Sequence, residues 1–275
     1  MRPLQAAYAF DCVFLFPAGD RPIGRALQRA GEFAAPEVDF LAETLGPAGT
    51  LYDVGANIGA ISVPLAARLP DARIHAFEPQ PALCELLRRN LAMNGLANAS
   101  AWHAALGERE DTIDFPAPPL EAVTNFGGIG RDTTDLPTAA VPLRRIDSLD
   151  LPPPTLIKID VEGFEAEVLD GAAATLAQHR PTVFCEAHGG PRTQATARRL
   201  LALGYRLFHF FAPYLTPANP RGAPVDPVPR GDMNLLALPD DAAPLWPLPE
   251  ATLASLAEPQ RAGNFRYLTR YGFSV

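Results

Sequence analysis

The sequence predicts an α/β protein in which helices cover a doubly wound, mostly parallel sheet. Short apolar segments predict strands at 50–54, 73–77, 99–104, 155–160 and 182–187. Helical patterns separate most of these strands, at 58–69, 81–94, 164–178 and 191–203. The last two predicted strands, 205–210 and 233–238, are joined by a Pro-rich loop instead of a helix, which predicts a terminal hairpin.

Residues 1–49 form a lead-in to this pattern. The apolar run 12–16 predicts a strand, and 22–30 and 36–45 predict short helices with Pro near their starts, where a missing N–H is tolerated. The Gly46-Pro47 pair ends the second helix.

The helices of the main pattern show a periodic apolar face. Leu residues lie on one face of 81–94, and Asn94-Gly95 ends that helix. Pro64 lies inside the 58–69 pattern and should kink the helix or move its start toward Val63. Apolar residues recur every four positions from Phe164 to Leu176, which predicts one helix over 164–178.

Residues 107–154 interrupt the alternation of strands and helices. They are rich in Pro, Gly, Thr and Asp, with strand-like pieces at 112–115, 122–128 and 139–143. We interpret them as an inserted β excursion over the ligand-binding edge of the sheet. The predicted organisation is therefore a lead-in (1–49), a main domain (50–240) with an insertion at about 107–154, and a C-terminal extension (241–275).

Composition excludes several classes of protein. The chain of 275 residues has a formal net charge of −8, whereas nucleic acids and anionic membranes recruit clustered Lys and Arg. No apolar run reaches the roughly 18 residues that span a bilayer. Cys12, Cys84 and Cys185 are too far apart for a zinc motif, so we expect reduced thiols in a cytoplasmic protein. The many Ala, Arg and Pro residues are typical of a high-GC bacterial genome, and a homodimer is left open.

The segment 53–59 reads Asp-Val-Gly-Ala-Asn-Ile-Gly and follows the first strand of the main pattern. Ligands of open α/β sheets bind at this edge, and Gly lets them approach the backbone closely. Asn57 stands where a dinucleotide fingerprint has its second Gly, and Asp53 would face a cationic or hydroxyl-rich ligand. A tight turn without a ligand is the alternative interpretation.

Glu78 ends the next strand, 19 residues after Gly59. An acid there is placed to accept hydrogen bonds from both ribose hydroxyls of a nucleoside. It would also stabilise the N-terminus of the helix that follows, and the two roles are compatible.

Together, segment 53–59, Glu78 and the closing strand pair resemble class I S-adenosylmethionine-dependent methyltransferases. A closer resemblance is to the FkbM family of methyltransferases, whose motifs are similar to the following segments, in the same order: 53–59, 77–79, 103–107, 145–149 and 156–165. The resemblance covers roughly residues 50–190. It implies a Rossmann-like fold with a seven-stranded sheet, and O-methylation of a hydroxyl on a natural product or sugar.

The resemblance also assigns cofactor-binding residues. Those that would hold the methionine part of S-adenosylmethionine are Asp53, Gly55, Asn57 and Gly59. Glu78 would hold the ribose, and Asp160 would face the methyl donor. Ala104 and Ala105 would lie under the adenine, where many related enzymes have an acid or amide that reads the adenine amine. With Ala in that place, we expect the backbone to supply this contact.

Asp160 and Glu162 are two carboxylates at the end of one strand. They could orient the substrate hydroxyl, accept its proton or bind Mg²⁺, and Glu162 could simply stabilise the start of the next helix. A hard cation takes about six oxygen ligands, and the sequence offers only two or three candidates. We therefore predict catalytic roles for these acids and no metal site.

Lys158 is the one Lys in a chain that otherwise uses Arg. It shares a strand face with Asp160, because side chains two residues apart point to the same side. A buried ammonium needs a partner, so Lys158 is predicted to position the active-site acid. The alternative is a structural Lys whose ammonium reaches solvent.

His188 follows the strand 182–187 and precedes Gly189-Gly190. Its position at a carboxyl end makes it the candidate general base, with an ionisation near the ordinary value of about 6.5, shifted by its neighbours. A plain loop His is the alternative. Glu186 shares the same edge, and Cys185 is expected to be a buried apolar residue rather than a nucleophile.

We thus predict an S-adenosylmethionine-dependent O-methyltransferase of a small natural product or sugar, with no nucleic-acid or membrane partner. A nicotinamide-dependent oxidoreductase of a sugar or alcohol is one alternative, although it should show the second fingerprint Gly. A module that binds the cofactor without turnover is the other.

Overall fold

The computed structural model describes residues 4–257 and 262–274. Residues 1–3 of the predicted lead-in, and residues 258–261 and 275 of the predicted C-terminal extension, lie outside this description. The strands are β1 (Leu4–Ala9), β2 (Cys12–Pro17), β3 (Thr50–Val54), β4 (Arg73–Phe77), β5 (Ala99–Trp102), β6 (Ala105–Leu106), β7 (Asp111–Pro116), β8 (Thr138–Arg144), β9 (Leu156–Ile159), β10 (Thr182–Glu186), β11 (Tyr205–Pro213) and β12 (Gly231–Pro239). The α-helices are α1 (Ile23–Ala30), α2 (Ala35–Leu45), α3 (Ser62–Arg68), α4 (Pro81–Met93), α5 (Glu165–Asp170), α6 (Ala173–His179) and α7 (Gly190–Ala202).

Seven strands form the central sheet in the order β5-β4-β3-β9-β10-β12-β11. Neighbouring strands from β5 to β10 are parallel, whereas β12 lies antiparallel between β10 and β11. The predicted fold class and its terminal hairpin are therefore confirmed. The carboxyl ends of β3, β4 and β9 meet at one edge, where the chain leaves each strand for a loop.

A second sheet of three strands, in the order β6-β8-β7, forms the inserted excursion. The predicted strand at 122–128 is wrong, because this stretch is irregular. It contains Asn125 and two adjacent Gly residues, which disfavour a strand. Phe126 instead anchors the segment: its side chain is buried, and its carbonyl accepts a hydrogen bond from Gln80 Nε2 at 3.0 Å.

Two predicted helices differ in extent from the observed ones. The predicted helix 164–178 is two helices, α5 and α6, divided at Gly171. A Cβ at Gly171 would lie 1.9 Å from the Gly107 carbonyl oxygen, so a close contact with the excursion sets this break. Helix α3 begins at Ser62 rather than at 58, which confirms the shifted start and puts Pro64 in the first turn.

The lead-in contains a hairpin of which only β2 was predicted. Phe10 and Asp11 form its two-residue turn with φ of 51° and 58°, although neither is a usual residue for such a turn. Two side-chain amides bind the other edge of β2: Asn90 of α4 accepts from Leu15 N at 2.7 Å, and Asn94, which directly follows α4, accepts from Val13 N at 2.8 Å.

The C-terminal extension packs against the lead-in on one face of the central sheet. Trp246 and Tyr267 are buried in a cluster with Phe40 of α2 and Phe210 of β11. The Tyr267 hydroxyl donates to the Phe211 carbonyl at 2.7 Å. Both ends of the chain thus help to hold the sheet. Among the residues that the structure describes, no helix has the length and apolar character needed to cross a membrane.

Candidate active site

A cavity opens to solvent at the carboxyl ends of β3, β4 and β9, with about 800 Å³ of empty space that includes part of its mouth. The three-stranded sheet covers it with Ile113 and Phe115 of β7 and Leu143 of β8, and Phe126 and Ile129 add to this cover. The predicted position of the excursion over the ligand-binding edge is confirmed. Its apolar side chains give the cavity a concave, mainly apolar surface of the kind that binds small molecules.

Gly55 shapes the loop after β3. Its φ is +86°, and its N–H donates to the Phe77 carbonyl at 2.9 Å. A Cβ at Gly55 would lie 1.8 Å from the Asp160 carbonyl oxygen. Gly55 does line the cavity, but contact between two loops of the protein already excludes a side chain there. Close packing of these loops therefore requires Gly55, and its predicted role at the cofactor stays a prediction.

Asn57 and Glu78 are joined at the cavity wall. Glu78 is buried, and its carboxylate accepts from Asn57 N and from Gln80 N, each at 2.8 Å. Asn57 has a left-handed φ of 52°, and its side chain caps its own turn by accepting from Ile58 N at 2.7 Å. Burial raises the pKa of Glu78 to about 7. Each carboxylate oxygen keeps a lone pair for a ligand donor in the cavity.

Asp53 and Gly59 lie behind the cavity wall rather than on it. The Asp53 side chain is fully buried, and its Oδ2 accepts from Ser62 Oγ at 2.5 Å. A Cβ at Gly59 would lie 2.6 Å from Leu87 Cδ1, so this Gly serves the packing of α4. The strand pleat and helix packing thus turn both residues inward, away from the cavity, and their contact with a ligand stays a prediction.

Lys158 is buried between two acids. Its Nζ lies 3.1 Å from Asp160 Oδ2 and 3.7 Å from Asp53 Oδ1. Burial alone would lower the pKa of Lys158, but the carboxylates of Asp160, Asp53 and Glu37 outweigh that and raise it. Lys158 is therefore charged, and it fixes the Asp160 carboxylate at the cavity rim.

Glu37 of α2 is a buried acid that sequence reasoning missed. Burial raises its pKa to about 8, against the opposing effect of Lys158. Glu37 lies 13 residues before the start of β3, and no sequence pattern links it to the site.

Ala104 and Ala105 line the cavity, as expected for the turn after β5. Glu108 lines it too, and its Oε2 is a buried oxygen with no hydrogen-bond partner in the described part of the chain. Sequence reasoning stopped at the two Ala residues and missed this acid. The signal was an acid three residues beyond Ala105 on the same turn.

Glu162, Glu186 and His188 meet in a second cavity beside the first. His188 Nε2 lies 2.8 Å from Glu186 Oε1 and 3.7 Å from Glu162 Oε2. Glu162 has a left-handed φ of 55° and lines both cavities. Such backbone strain in a non-Gly residue is typical of functional sites.

The surroundings of His188 correct its predicted ionisation. The carboxylates of Glu162 and Glu186 raise the pKa of His188 to about 11, far from an ordinary imidazole. Burial raises the pKa of Glu186 to about 9. A histidine held in its charged form at neutral pH does not accept a proton, so the general-base prediction with an ionisation near 6.5 does not fit this geometry.

Asp232 and Tyr214 stand near the same edge and were also missed. The Tyr214 hydroxyl donates to Asp232 Oδ1 at 2.6 Å, and burial raises the pKa of Asp232 to about 6. Tyr214 directly follows β11 and Asp232 is the second residue of β12, so the pairing of these two strands brings them together. Cys185 is buried, and burial raises the pKa of its thiol, which agrees with a packing role.

The central sheet, the buried acid after β4 and the cavity at the carboxyl ends of three strands define an α/β protein with a mainly apolar cavity beside a buried carboxylate. A family model described as the methyltransferase FkbM domain matches residues 53–207. The chain belongs to this family of methyltransferases, as the sequence motifs indicated.

Individual relatives agree with the family. The chain is 32% identical over 158 residues to the methyltransferase sdnD of Sordaria araneosa, covering 44% of this chain and 59% of that protein. It is 29% identical over 140 residues to the hexuronic acid methyltransferase AglP of Haloferax volcanii, covering 51% and 56%. The chain thus spans little more than half the length of these relatives.

Among solved structures, the chain is similar to methyltransferase FkbM from Methylobacillus flagellatus KT. The TM-score is 0.46 and the sequence identity 20%, with 70% of this chain and 44% of that chain covered.

Proposed function

We propose that this methyltransferase uses S-adenosylmethionine to methylate a hydroxyl group of a small natural product or sugar. The observation that carries the proposal is Glu78, a buried carboxylate at the end of β4 that lines a mainly apolar cavity. A ribose diol is a ligand group that can donate to such a carboxylate, and it would offset the cost of burying the charge.

The remaining cavity residues fit the other parts of that cofactor. Ala104 and Ala105 leave a flat, apolar surface suited to an adenine ring, and the unpartnered Glu108 Oε2 can accept from its exocyclic amine. Gly55 and Asn57 bring the backbone to the cavity wall on the side of Asp160. When bound, the cofactor supplies an electrophilic methyl group on a sulfonium.

Asp160 is the residue that we assign to orienting and deprotonating the acceptor hydroxyl. Its side chain is 39% exposed, at the rim of the cofactor cavity, and its Oδ2 is held by Lys158. The carboxylate can accept a hydrogen bond from the acceptor hydroxyl, orient the oxygen toward the methyl donor, and take its proton. This is general-base catalysis by a carboxylate whose position is fixed before the acceptor arrives.

The acceptor enters through the second cavity, on which Glu162, His188 and Arg192 lie. The polar and charged lining favours a hydroxyl-rich molecule over an apolar one. The net charge of −8 argues against a nucleic-acid acceptor. A sugar or a hydroxylated natural product satisfies both conditions.

Two measurements test the proposal. Titration calorimetry should show binding of S-adenosylmethionine and no binding of NAD, and the reverse would revive the oxidoreductase alternative. Incubation with S-adenosylmethionine carrying a labelled methyl group and a panel of sugars and hydroxylated metabolites should give a product heavier by one methyl group. Cofactor binding without product across acceptors from the gene neighbourhood would favour the module without turnover.

A further inference from the structure

Three side chains at the carboxyl edge of the sheet converge on one point. Glu162 follows β9, Glu186 ends β10 and His188 stands two residues beyond it. One donor atom from each lies within 4.8 Å of the other two, and His188 Nε2 is 2.8 Å from Glu186 Oε1 and 3.7 Å from Glu162 Oε2. Bonds of about 2.0–2.2 Å from nitrogen and carboxylate oxygen to a metal ion fit donors at such separations.

Glu186 is the member of this cluster that indicates a bound cation. Its side chain is only 5% exposed and lines the second cavity, and its Oε2 is buried with no hydrogen-bond partner in the described part of the chain. A buried polar oxygen without a partner is costly, so a native protein needs a reason to keep it. A cation in the cavity supplies that reason.

The surrounding charge points the same way. Two carboxylates lie close to His188 Nε2, Glu186 Oε1 at 2.8 Å and Glu162 Oε2 at 3.7 Å, and the Asp160 carboxylate stands at the neighbouring cavity. The site therefore holds more acidic groups than one imidazolium can neutralise. A divalent ion would neutralise this excess more fully than one imidazolium does.

We propose that Glu162, Glu186 and His188 bind a divalent transition-metal ion such as Mn²⁺, facing the second cavity. One imidazole and two carboxylates suit Mn²⁺ or Zn²⁺ better than Ca²⁺, which takes oxygen ligands throughout. Three protein ligands leave coordination positions open toward the cavity, as in catalytic rather than structural metal sites.

The open coordination positions on the metal indicate the chemistry of the acceptor. We assign these positions to an acceptor that offers two neighbouring oxygens, such as a vicinal diol or a hydroxy acid, and this assignment rests on the proposed function. Glu162 lines both cavities, so an acceptor held there has its hydroxyl near Asp160. A cation beside that hydroxyl lowers the hydroxyl pKa and eases transfer of its proton to Asp160.

The binding test uses Mn²⁺ alone and the full chain, stripped with EDTA and dialysed. Electron paramagnetic resonance of free Mn²⁺ should show one saturable site per chain. His188→Ala and Glu162→Gln should each weaken binding by at least about tenfold. His188 is half-exposed, so its replacement leaves the core intact, and circular dichroism checks the fold of each variant. His179→Ala is the matched control, since His179 is exposed and lies before the opposite end of β10.

Absence of saturable Mn²⁺ binding to the wild-type chain would overturn the proposal, as would wild-type binding in both His188→Ala and Glu162→Gln. This titration contains neither S-adenosylmethionine nor acceptor, so its result is independent of the proposed function. The acceptor role has a separate test. Methyl transfer should fall in EDTA-stripped protein and return with Mn²⁺, whereas full turnover after stripping would overturn that role while leaving the site itself in place.

Discussion

Lys158 and Asp53 are register partners on the neighbouring parallel strands β9 and β3, with Nζ and Oδ1 3.7 Å apart. Both side chains are almost completely buried. Asp160 lies two residues further along, so the same ammonium also reaches its carboxylate, at 3.1 Å. One buried cation therefore links an acid in the interior to the acid at the cavity rim.

Replacement of that cation should be costly. Lys158→Met should lower the free energy of unfolding by about 3–5 kcal/mol, because Asp53 would remain buried without its counter-ion. Urea denaturation measures the change. Arg68→Met is the control, since Arg68 pairs with Asp39 at a half-exposed site and should cost less than about 1 kcal/mol. Equal losses in the two variants would contradict the assignment of Lys158 as a buried bridge.

Gly55 should be needed for folding itself. Gly55→Ala combines a positive φ with a clash against the Asp160 carbonyl, and we expect it to lose about 2–6 kcal/mol. Gly95→Ala isolates the backbone effect, because Gly95 has a φ of +68° and nothing within 4 Å of its Cβ position. Thermal and urea unfolding should show that the Gly55→Ala variant is much less stable than the Gly95→Ala variant. Similar stabilities would mean that the loops after β3 and β9 can separate.

Glu78 should control cofactor affinity and its pH dependence. Glu78→Ala should weaken S-adenosylmethionine binding by about 1.5–3 kcal/mol, the range for hydrogen bonds to a charged group. The ribose donates to the ionised form, so wild-type affinity should rise as pH passes upward through about 7. Calorimetry at several pH values measures both effects. Exposed Glu85→Gln should bind as the wild type does, and a pH-independent affinity would count against Glu78 as the ribose acceptor.

Glu37 should make the protein less stable as pH rises. Its pKa moves from an ordinary 4.5 to about 8 in the folded chain, so the folded state holds a proton that the unfolded state releases. This stabilisation is complete below about 4.5 and is lost as pH rises through about 8. Glu37→Gln should flatten this part of the pH–stability curve, as urea denaturation between pH 5 and about 9 would show. An unchanged slope would place the ionisation elsewhere.

His188 should stay protonated through neutral pH in the metal-free protein. Its pKa is raised to about 11 by Glu162 and Glu186, so its imidazole resonances in nuclear magnetic resonance should not shift between pH 5 and about 9. Glu162→Gln should lower that pKa. A wild-type midpoint near the ordinary value of 6.5 would show that the two carboxylates do not hold the proton in place.

Sequence reasoning predicted the central sheet because buried parallel strands are continuous apolar runs, as β3, β4, β9 and β10 are. It missed β1 because the Phe10-Asp11 turn lacks the usual Gly or Asn. It merged α5 with α6 because the contact between Gly171 and Gly107 joins distant segments. Local sequence patterns predict the strands and helices, whereas close contacts between backbone segments depend on the assembled fold.

The same division applies to the site. The cavity does bring together Gly55, Asn57, Glu78 and Asp160, because each follows a parallel strand and so reaches the same edge. The inward orientation of Asp53 and the approach of Glu37 from α2 depend on packing between segments far apart in sequence. The charged state of His188 depends on its distances from Glu162 and Glu186, and the spacing of these residues in the sequence does not predict those distances.

The contact between Gly55 and the Asp160 carbonyl has a consequence for how such an enzyme can diversify. Two main-chain segments, rather than two adjustable side chains, set how far the cofactor cavity stands from the rim carboxylate. Rotamer changes cannot alter that spacing, so substitutions of side chains around the cavity leave it in place. Side chains after β10 and in the irregular stretch 117–137 do not set that spacing, so we expect a change of acceptor to be tolerated there and not at Gly55.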